Sequence, residues 1–213
     1  MAKINPIFVR KKESVASSTD NSRKGNIDEP IVELIDFING LEDYVTTSSC
    51  SGRIIILKKG EEVSIKKGCK WILTSHEVVD PNQVVDKLST CVEKNMILKF
   101  EPFILHVQCR NVTAAKKMQD CAFNAGYRNS GSVFGRQGSI TLAVRGTHGL
   151  EVPLSDETGL IVSNEYIKYV VNKANEKMCE NLKRIDSFSR AVFGMKVSTD
   201  TQEIEIEDKT DCR

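Results

Sequence analysis

The stretch that decides the fold reads Thr46-Thr47-Ser48-Ser49-Cys50-Ser51-Gly52-Arg53-Ile54-Ile55-Ile56-Leu57. Small polar residues separate two segments, 44–47 and 53–57, that predict short strands. Small hydroxyl groups and Gly52 allow backbone amides to converge on a polar ligand, and Arg53 can bind a carboxylate or phosphate. A serine-rich turn between strands has the same composition. The residues alone therefore leave a ligand site and a plain turn equally open.

Periodicity on both sides of this stretch predicts short strands and helices in irregular order. Residues 1–26 are polar and predict a short helix followed by a loop. Asp28, Thr113 and Ser163 are expected N-caps, and Gly126 is an expected C-terminal cap. Helices are predicted at 31–39, 81–95, 112–125 and 164–191, and strands at 63–65, 70–75, 97–109, 139–144 and 150–154. This order predicts an α+β fold, with a compact mixed or antiparallel sheet and flanking helices.

Composition narrows the class of protein. The 213 residues are 40% hydrophobic and 28% charged, as expected for one globular domain or two small lobes. No apolar run is long enough to span a membrane, and no signal peptide is evident. The seven cysteines are scattered, with no C-x-x-C pair. Reduced thiols in a cytoplasmic protein are expected, without a disulfide framework or a metal site.

Charge is distributed unevenly along the chain. Residues 196–213 contain six acidic and three basic residues, which predicts a disordered acidic tail. Five lysines lie close together at Lys58, Lys59, Lys66, Lys67 and Lys70. Such a cluster suits phosphate contacts, but a solvated hairpin has the same composition, and charge alone favours the hairpin.

Candidate proton-transfer groups follow the predicted strands. His76 and His106 each end an extended run, and Glu101 lies between them in sequence. A histidine at a strand end suits proton transfer, although a lone one is more often structural. His148, in a Gly-Thr-His-Gly loop, is expected at the surface. Cys50 has no basic neighbour in sequence to lower its pKa, so it is expected to pack and not to react.

Several separated blocks together resemble the tRNA wybutosine-synthesizing protein 3 family. They occur in the family's order over roughly residues 20–193, and no Rossmann glycine motif G-x-G-x-x-G follows the first strand. The blocks are Asp20-Asn-Ser-Arg-Lys-Gly-Asn-Ile-Asp28, Thr46 to Arg53, Trp71-Ile-Leu-Thr-Ser-His76, Lys99-Phe-Glu-Pro-Phe-Ile-Leu-His106, Gly126-Tyr-Arg-Asn-Ser-Gly131, Glu151-Val-Pro153, and a C-terminal helix with Asn175, Asn181 and Arg184.

The resemblance implies a methyltransferase that uses S-adenosylmethionine but not the Rossmann fold. It implies methylation of ring nitrogen N4 of the 4-demethylwyosine-type base at position 37 of tRNA-Phe, with the tRNA anticodon loop as partner. The methyltransferase domain would span residues 20–195, after a partly flexible segment, 1–19, and before the tail, 196–213. A non-catalytic RNA-binding module and a small-molecule enzyme are the alternatives.

The resemblance also suggests a role for individual residues. His76 is the first candidate to accept the proton lost by the ring nitrogen, and His106 or Glu101 the second. Trp71, Tyr127 and Arg128 are candidates to stack on the base, although a core position is favoured for Trp71. Expected cofactor-binding residues are Ser49, Ser51, Gly52, Arg53, Ser130 and Gly131. Expected substrate-binding residues are Asp20, Lys24, Asp28, Lys66, Lys67, Lys70 and Arg128.

Overall fold

The computed structural model describes residues 5–17, 27–58, 69–135 and 137–207. The helices are α1 (Pro6–Ser17), α2 (Val32–Gly40), α3 (Pro81–Ser89), α4 (Val112–Asn124) and α5 (Asn164–Glu207), with a 3₁₀ helix at Glu29–Ile31. The strands are β1 (Tyr44–Cys50), β2 (Arg53–Lys58), β3 (Lys70–Ser75), β4 (Met96–Glu101), β5 (Ile104–Cys109), β6 (Gly131–Phe134), β7 (Ile140–Arg145) and β8 (Leu150–Pro153). The predicted α+β class is confirmed, with two four-stranded sheets in place of one.

The chain forms two compact units. The first comprises Met1–Ser49, Leu105–Arg145 and Arg184–Arg213, and the second comprises Cys50–Ile104 and Gly146–Lys183. The sheet order is β1-β5-β7-β6 in the first unit and β3-β2-β4-β8 in the second. No helix in the described part of the chain has the length and apolar character that a membrane span requires.

In the second unit β2 is a central, deeply buried strand. It pairs antiparallel with β3 on one side and with β4 on the other, and Ile54 to Leu57 are all buried. A strand covered on both faces needs apolar residues at successive positions, which accounts for the run Ile-Ile-Ile-Leu. One face packs on α3 and α5 through residues such as Leu88 and Val171.

In the first unit helices cover one side of the sheet. α4 contacts β7 and buries Ala114, Ala115, Met118, Cys121 and Ala122. The Tyr44 hydroxyl donates to the Ala114 carbonyl at 3.0 Å, which links β1 to α4. Burial raises the pKa of the Cys109 thiol to about 12, so this cysteine is an inert core group.

Several predicted boundaries are wrong. Helix α3 ends at Ser89, so Val92, which continues the apolar spacing of the predicted helix 81–95, is 88% exposed. The Ser89 hydroxyl donates to the Asp86 carbonyl, and the Thr90 hydroxyl donates to the Lys87 carbonyl. These side-chain bonds compete with the backbone bonds that would continue the helix. Strand β6 was not predicted at all.

The last helix differs from its prediction at its end and on its buried face. Ser163 caps it as expected, because its hydroxyl accepts from the Tyr166 amide at 3.2 Å. It runs to Glu207, past the predicted end at 191 and into the acidic tail. Tyr166 fits the apolar spacing of the predicted helix 164–191 with Val170, Ala174 and Met178, but it is 44% exposed, and Ile167 is buried in its place. The division into segments 1–19, 20–195 and 196–213 stays a prediction.

The other predicted caps are confirmed only in part, and the predicted strand 97–109 is divided in the structure. Asn111, and not Thr113, caps α4 by accepting from the Ala114 amide at 2.8 Å. Asp28 stands at the N-cap of the 3₁₀ helix, with no side-chain capping bond. Gly126 has a φ of +89°, as a helix C-terminus requires. Pro102 and Phe103 divide the predicted strand 97–109 into β4 and β5. The predicted strand 63–65 lies outside the described residues.

Candidate functional site

The predicted serine turn is shorter than expected. Strand β1 continues through Ser48, Ser49 and Cys50, so only Ser51 and Gly52 form the turn before β2. Ser48 and Ser49 are exposed, whereas Ser51 and Gly52 are buried. Gly52 has a φ of +102°, a conformation that a residue with a Cβ rarely adopts.

A buried amide fixes the turn from within the second unit. Asn181 on α5 is 0% exposed. Its Nδ2 donates to the Ser51 carbonyl at 2.6 Å, and its Oδ1 accepts from the Phe103 amide at 2.8 Å. A Cβ added at Gly52 would lie 2.8 Å from that same Nδ2. The turn is therefore closely packed around Asn181, and the Ser51 carbonyl is already used.

Arg53 is held beside the turn by a carboxylate and an aromatic ring. Its Nε donates to Glu101 Oε2 at 2.7 Å, across the β2–β4 ladder. Its guanidinium carbon lies 4.9 Å from the centre of the Trp71 ring, in cation–π geometry. Trp71 is 45% exposed, so the expectation of a core position for it is wrong. The cluster offers a cation, an anion and an open aromatic face.

His76 contacts the same turn. Its Nδ1 lies 3.0 Å from the Gly52 carbonyl oxygen. A carbonyl only accepts, so Nδ1 carries the hydrogen and Nε2 is the nitrogen that can accept a proton in the neutral ring. The structure thus brings together four predicted site residues, Gly52, Arg53, His76 and Glu101. Glu101, already paired with Arg53, is a weaker candidate base than His76.

His106 belongs to the first unit, with a different set of neighbours. Its Nδ1 lies 2.9 Å from the Ser48 hydroxyl oxygen, and the Thr47 hydroxyl donates to the backbone carbonyl of His106 at 3.2 Å. Burial and the charge of Arg145 lower the pKa of His106 from its ordinary value. The imidazole is therefore mostly neutral at pH 7, which suits a group that accepts a proton.

The block 126–131 separates into buried and exposed residues. Tyr127 is 1% exposed and meets the Phe188 ring edge-on at 5.9 Å, so the expectation that it stacks on a base is wrong. Arg128 is exposed. Ser130 is buried, and its hydroxyl accepts from the Arg145 amide at 3.2 Å. Gly131 begins β6. Of the predicted site residues in this block, Arg128 is the one that presents a side chain to solvent.

Two of the other expected substrate ligands are described by the structure, and four lie outside the described residues. Lys70 donates to Glu93 at 2.6 Å, and Lys58 lies 3.3 Å from the same carboxylate. Asp28 is 7% exposed and belongs to the first unit. Asp20, Lys24, Lys66 and Lys67 lie outside the described residues, so their roles stay predictions.

Two residues have surroundings that the sequence did not indicate. In the sequence Asn181 stands out only as part of a family block, because a polar residue on a long helix is usually exposed. His148, expected at the surface, is half-buried, and its ring centre lies 5.6 Å from that of Phe100. Cys50 is half-buried, and its lack of reactivity stays a prediction.

Comparison with known proteins identifies the family. The family model described as Methyltransferase TYW3 matches residues 9–193. The tRNA wybutosine-synthesizing protein 3 homologs of Xenopus laevis and Homo sapiens are each 46% identical, over 85% of this chain and 72% and 70% of their own lengths. The solved PH1069 protein from Pyrococcus horikoshii is 27% identical and superposes with a TM-score of 0.77, covering 87% of this chain and 95% of that one. The chain therefore belongs to the TYW3 methyltransferase family.

Proposed function

We propose that the chain is a tRNA methyltransferase of wybutosine biosynthesis. The methyl acceptor is ring nitrogen N4 of the 4-demethylwyosine-type base at position 37, in the anticodon loop of tRNA-Phe. Membership of the family, over most of the chain, carries this proposal. A cytoplasmic location is part of the same proposal, and the scattered cysteines support it.

S-adenosylmethionine is the proposed methyl donor, and the cluster at the β1–β2 turn has the chemistry to hold it. A guanidinium binds a carboxylate, an aromatic face packs on a purine, and a carboxylate accepts from hydroxyl or ammonium groups. Arg53, Trp71 and Glu101 offer these three groups, and each remains partly exposed. When bound, the donor supplies a methyl group already activated by its sulfonium. Ser51 and Gly52 are both buried in the adjoining turn, where the Ser51 carbonyl accepts from Asn181 and the Gly52 carbonyl contacts His76.

Because the methyl group is already activated, the protein's part is mainly positioning and proton removal. Holding the acceptor nitrogen in line supplies most of the rate enhancement. His76 is the proposed base and would accept the departing ring proton at Nε2; the contact of its Nδ1 with the Gly52 carbonyl supports this assignment. His106, kept neutral by burial, is the second candidate in the first unit.

The test is transfer of a labelled methyl group to tRNA-Phe that carries the demethylated precursor. Wild-type protein should methylate it in the presence of S-adenosylmethionine. His76→Ala should lower kcat by at least about tenfold, with a much smaller change in donor affinity. His76→Asn is the matched variant, because its amide can still donate to the Gly52 carbonyl but cannot accept a proton. A similar loss in both variants identifies a base.

The other results each point to a different conclusion. Full activity in His76→Asn with loss in His76→Ala would make His76 structural. Binding of tRNA without methyl transfer would favour the non-catalytic RNA-binding module. A lack of tRNA binding would favour a small-molecule enzyme.

A further inference from the structure

One segment of the first unit combines positive charge with an absence of acidic residues. About one residue in seven of the chain is acidic, so about three would be expected among residues 121–145. That segment contains none, and its charged residues are Arg128, Arg136 and Arg145. Arg136 itself lies outside the described residues. A segment of this kind attracts polyanions and repels another copy of itself.

The same segment forms a hairpin whose outer end is uncovered. β6 is the edge strand of its sheet and pairs antiparallel with β7, with Phe134 opposite Ile140. Val133 and Phe134 are 62% and 64% exposed. Successive strand residues point to opposite faces, so neither face is covered at this end. Phe134 therefore offers an exposed aromatic ring on an edge strand.

Both ends of the hairpin are held in place. At one end, the Tyr127 amide donates to the Ala122 carbonyl at 2.8 Å, and the Ser130 amide donates to the Tyr127 carbonyl at 3.0 Å. These bonds fix the turn that carries Arg128. At the other end, the Asn5 side chain donates to the Gln137 carbonyl at 3.1 Å. A surface that is already ordered loses little entropy when it binds.

A cavity of about 600 Å³ lies beside the hairpin loop. Its lining includes Gln137 and Gly138 from the loop, Arg10 from α1, and Arg110. Arg110 is paired with Glu42 and Asp43, so its charge is largely balanced. Arg10 is exposed and brings a further positive charge to the loop end of the hairpin. The volume is in the range of clefts that hold a small molecule or one nucleotide.

We propose that this hairpin surface, defined as Arg10, Arg128 and Phe134, is an RNA-binding surface. Phe134 stacks on an unpaired base, while Arg10 and Arg128 contact phosphates on either side of it. Arg128 precedes β6 at one end of the hairpin, and Arg10 lines the cavity beside the loop at the other end, next to the end of the strand that carries Phe134. The inference rests on the proposed function, because it assigns a contact surface to the tRNA substrate.

Two features favour RNA over a second copy of the chain as the partner. Single-stranded RNA is bound by aromatic side chains that stack on bases and by cations that contact phosphates, and the hairpin surface has both. Pairing of two β6 edges would bring equal positive charges together, without an acidic residue in either segment to balance them.

The aromatic arm of the test measures binding of a fluorescein-labelled anticodon stem-loop of tRNA-Phe to the full chain. Phe134→Ala should weaken binding about tenfold, since stacking on one base contributes on the order of 1–3 kcal/mol. Phe134→Trp should retain binding, and Phe134→Leu should lose it despite its apolar side chain. Phe123→Ala is the matched control, because Phe123 is a 38% exposed aromatic residue on α4. Equal affinity of Phe134→Ala and wild type overturns the inference.

The charge arm measures how affinity depends on salt. Arg10→Gln and Arg128→Gln should each lower the slope of log affinity against log salt concentration by about 0.7. Arg190→Gln, exposed on α5 and paired with Asp186, should leave the slope unchanged. Unchanged slopes in both hairpin variants would overturn the phosphate contacts.

The outcomes separate this inference from the proposed function. RNA binding that depends on Phe134 but brings no methyl transfer would support the hairpin surface and reject the methyltransferase. Methyl transfer with normal binding by Phe134→Ala would reject only the hairpin surface. No RNA binding by wild type would reject both. Self-association that Phe134→Ala abolishes, with RNA binding intact, would assign the surface to a second copy.

Discussion

Lys12 in the first unit and Asn181 in the second both join a helix to backbone groups next to a sheet, with different chemistry. Lys12 on α1 donates to the Asn39 carbonyl at 3.1 Å, to the Tyr44 carbonyl at 2.7 Å, and to the Leu41 carbonyl. Asn181 donates to one carbonyl and accepts from one amide. An ammonium group only donates and carries charge, whereas an amide does both and is neutral.

This difference in chemistry accounts for the difference in burial. Lys12 stays half-buried, and burial lowers its pKa because the charged form loses water. Asn181 is buried completely, with no charge to desolvate. A neutral group that satisfies both a donor and an acceptor can sit in the core of a unit, while a charged one remains near solvent. The second unit should therefore be the more sensitive to loss of its polar link.

Removing the Asn181 side chain should have the largest effect on stability. Asn181→Ala leaves the Ser51 carbonyl and the Phe103 amide without their partner and opens a cavity, at an expected cost of about 3–4 kcal/mol. Urea titration measures the free energy of unfolding. Lys183→Ala, exposed two positions further along α5, is the control and should change it by less than about 0.5 kcal/mol. A small loss in Asn181→Ala would mean that water replaces the amide.

Gly52→Ala tests how closely the turn packs on Asn181. The new Cβ would lie 2.8 Å from Asn181 Nδ2 and 3.1 Å from the Glu101 carbonyl, at a φ of +102°. We expect a loss of about 2–3 kcal/mol. Gly126→Ala separates the causes, since Gly126 also has a positive φ, +89°, but no atom within 4 Å of its added Cβ. That variant should lose only about 1 kcal/mol, and equal losses would remove the packing argument.

Replacing Lys12 should have the smallest of the three effects. Lys12→Met keeps the length of the side chain but removes the three donated bonds. The expected loss is about 1–2 kcal/mol, because the freed carbonyls lie near solvent and water can replace the lysine. Lys11→Met, at the next position on α1, is the control. A loss as large as that of Asn181→Ala would contradict the proposed link between charge and burial.

Local patterns predicted most elements, because they depend on neighbours in sequence. Gly126 and Ser163 marked helix ends through their own backbone and hydroxyl chemistry, and the run Ile54 to Leu57 marked a buried strand. Val92 and Tyr166 fitted a helical period yet are exposed. For these, the hydroxyl groups of Ser89 and Thr90 and the packing of Ile167 decided the outcome.

The candidate site was harder to predict than the fold. Arg53 and Glu101 lie far apart in sequence, and only the β2–β4 register places them opposite each other. Nothing local distinguished Asn181 from the other polar residues of α5, because its partners are 130 and 78 positions away. Strand β6 contains two glycine or serine residues among its four, too weak a pattern to indicate a strand.

The contact between Asn181 and the Phe103 amide also bears on hydrogen exchange. Pro102 and Phe103 connect β4 to β5 and belong to neither strand, and Pro102 has no amide hydrogen to exchange. The Phe103 amide is nevertheless buried and bonded to a side chain that is itself 0% exposed. In deuterated water this single amide should exchange as slowly as those of the central strands, so a loop position would report on the opening of the whole second unit.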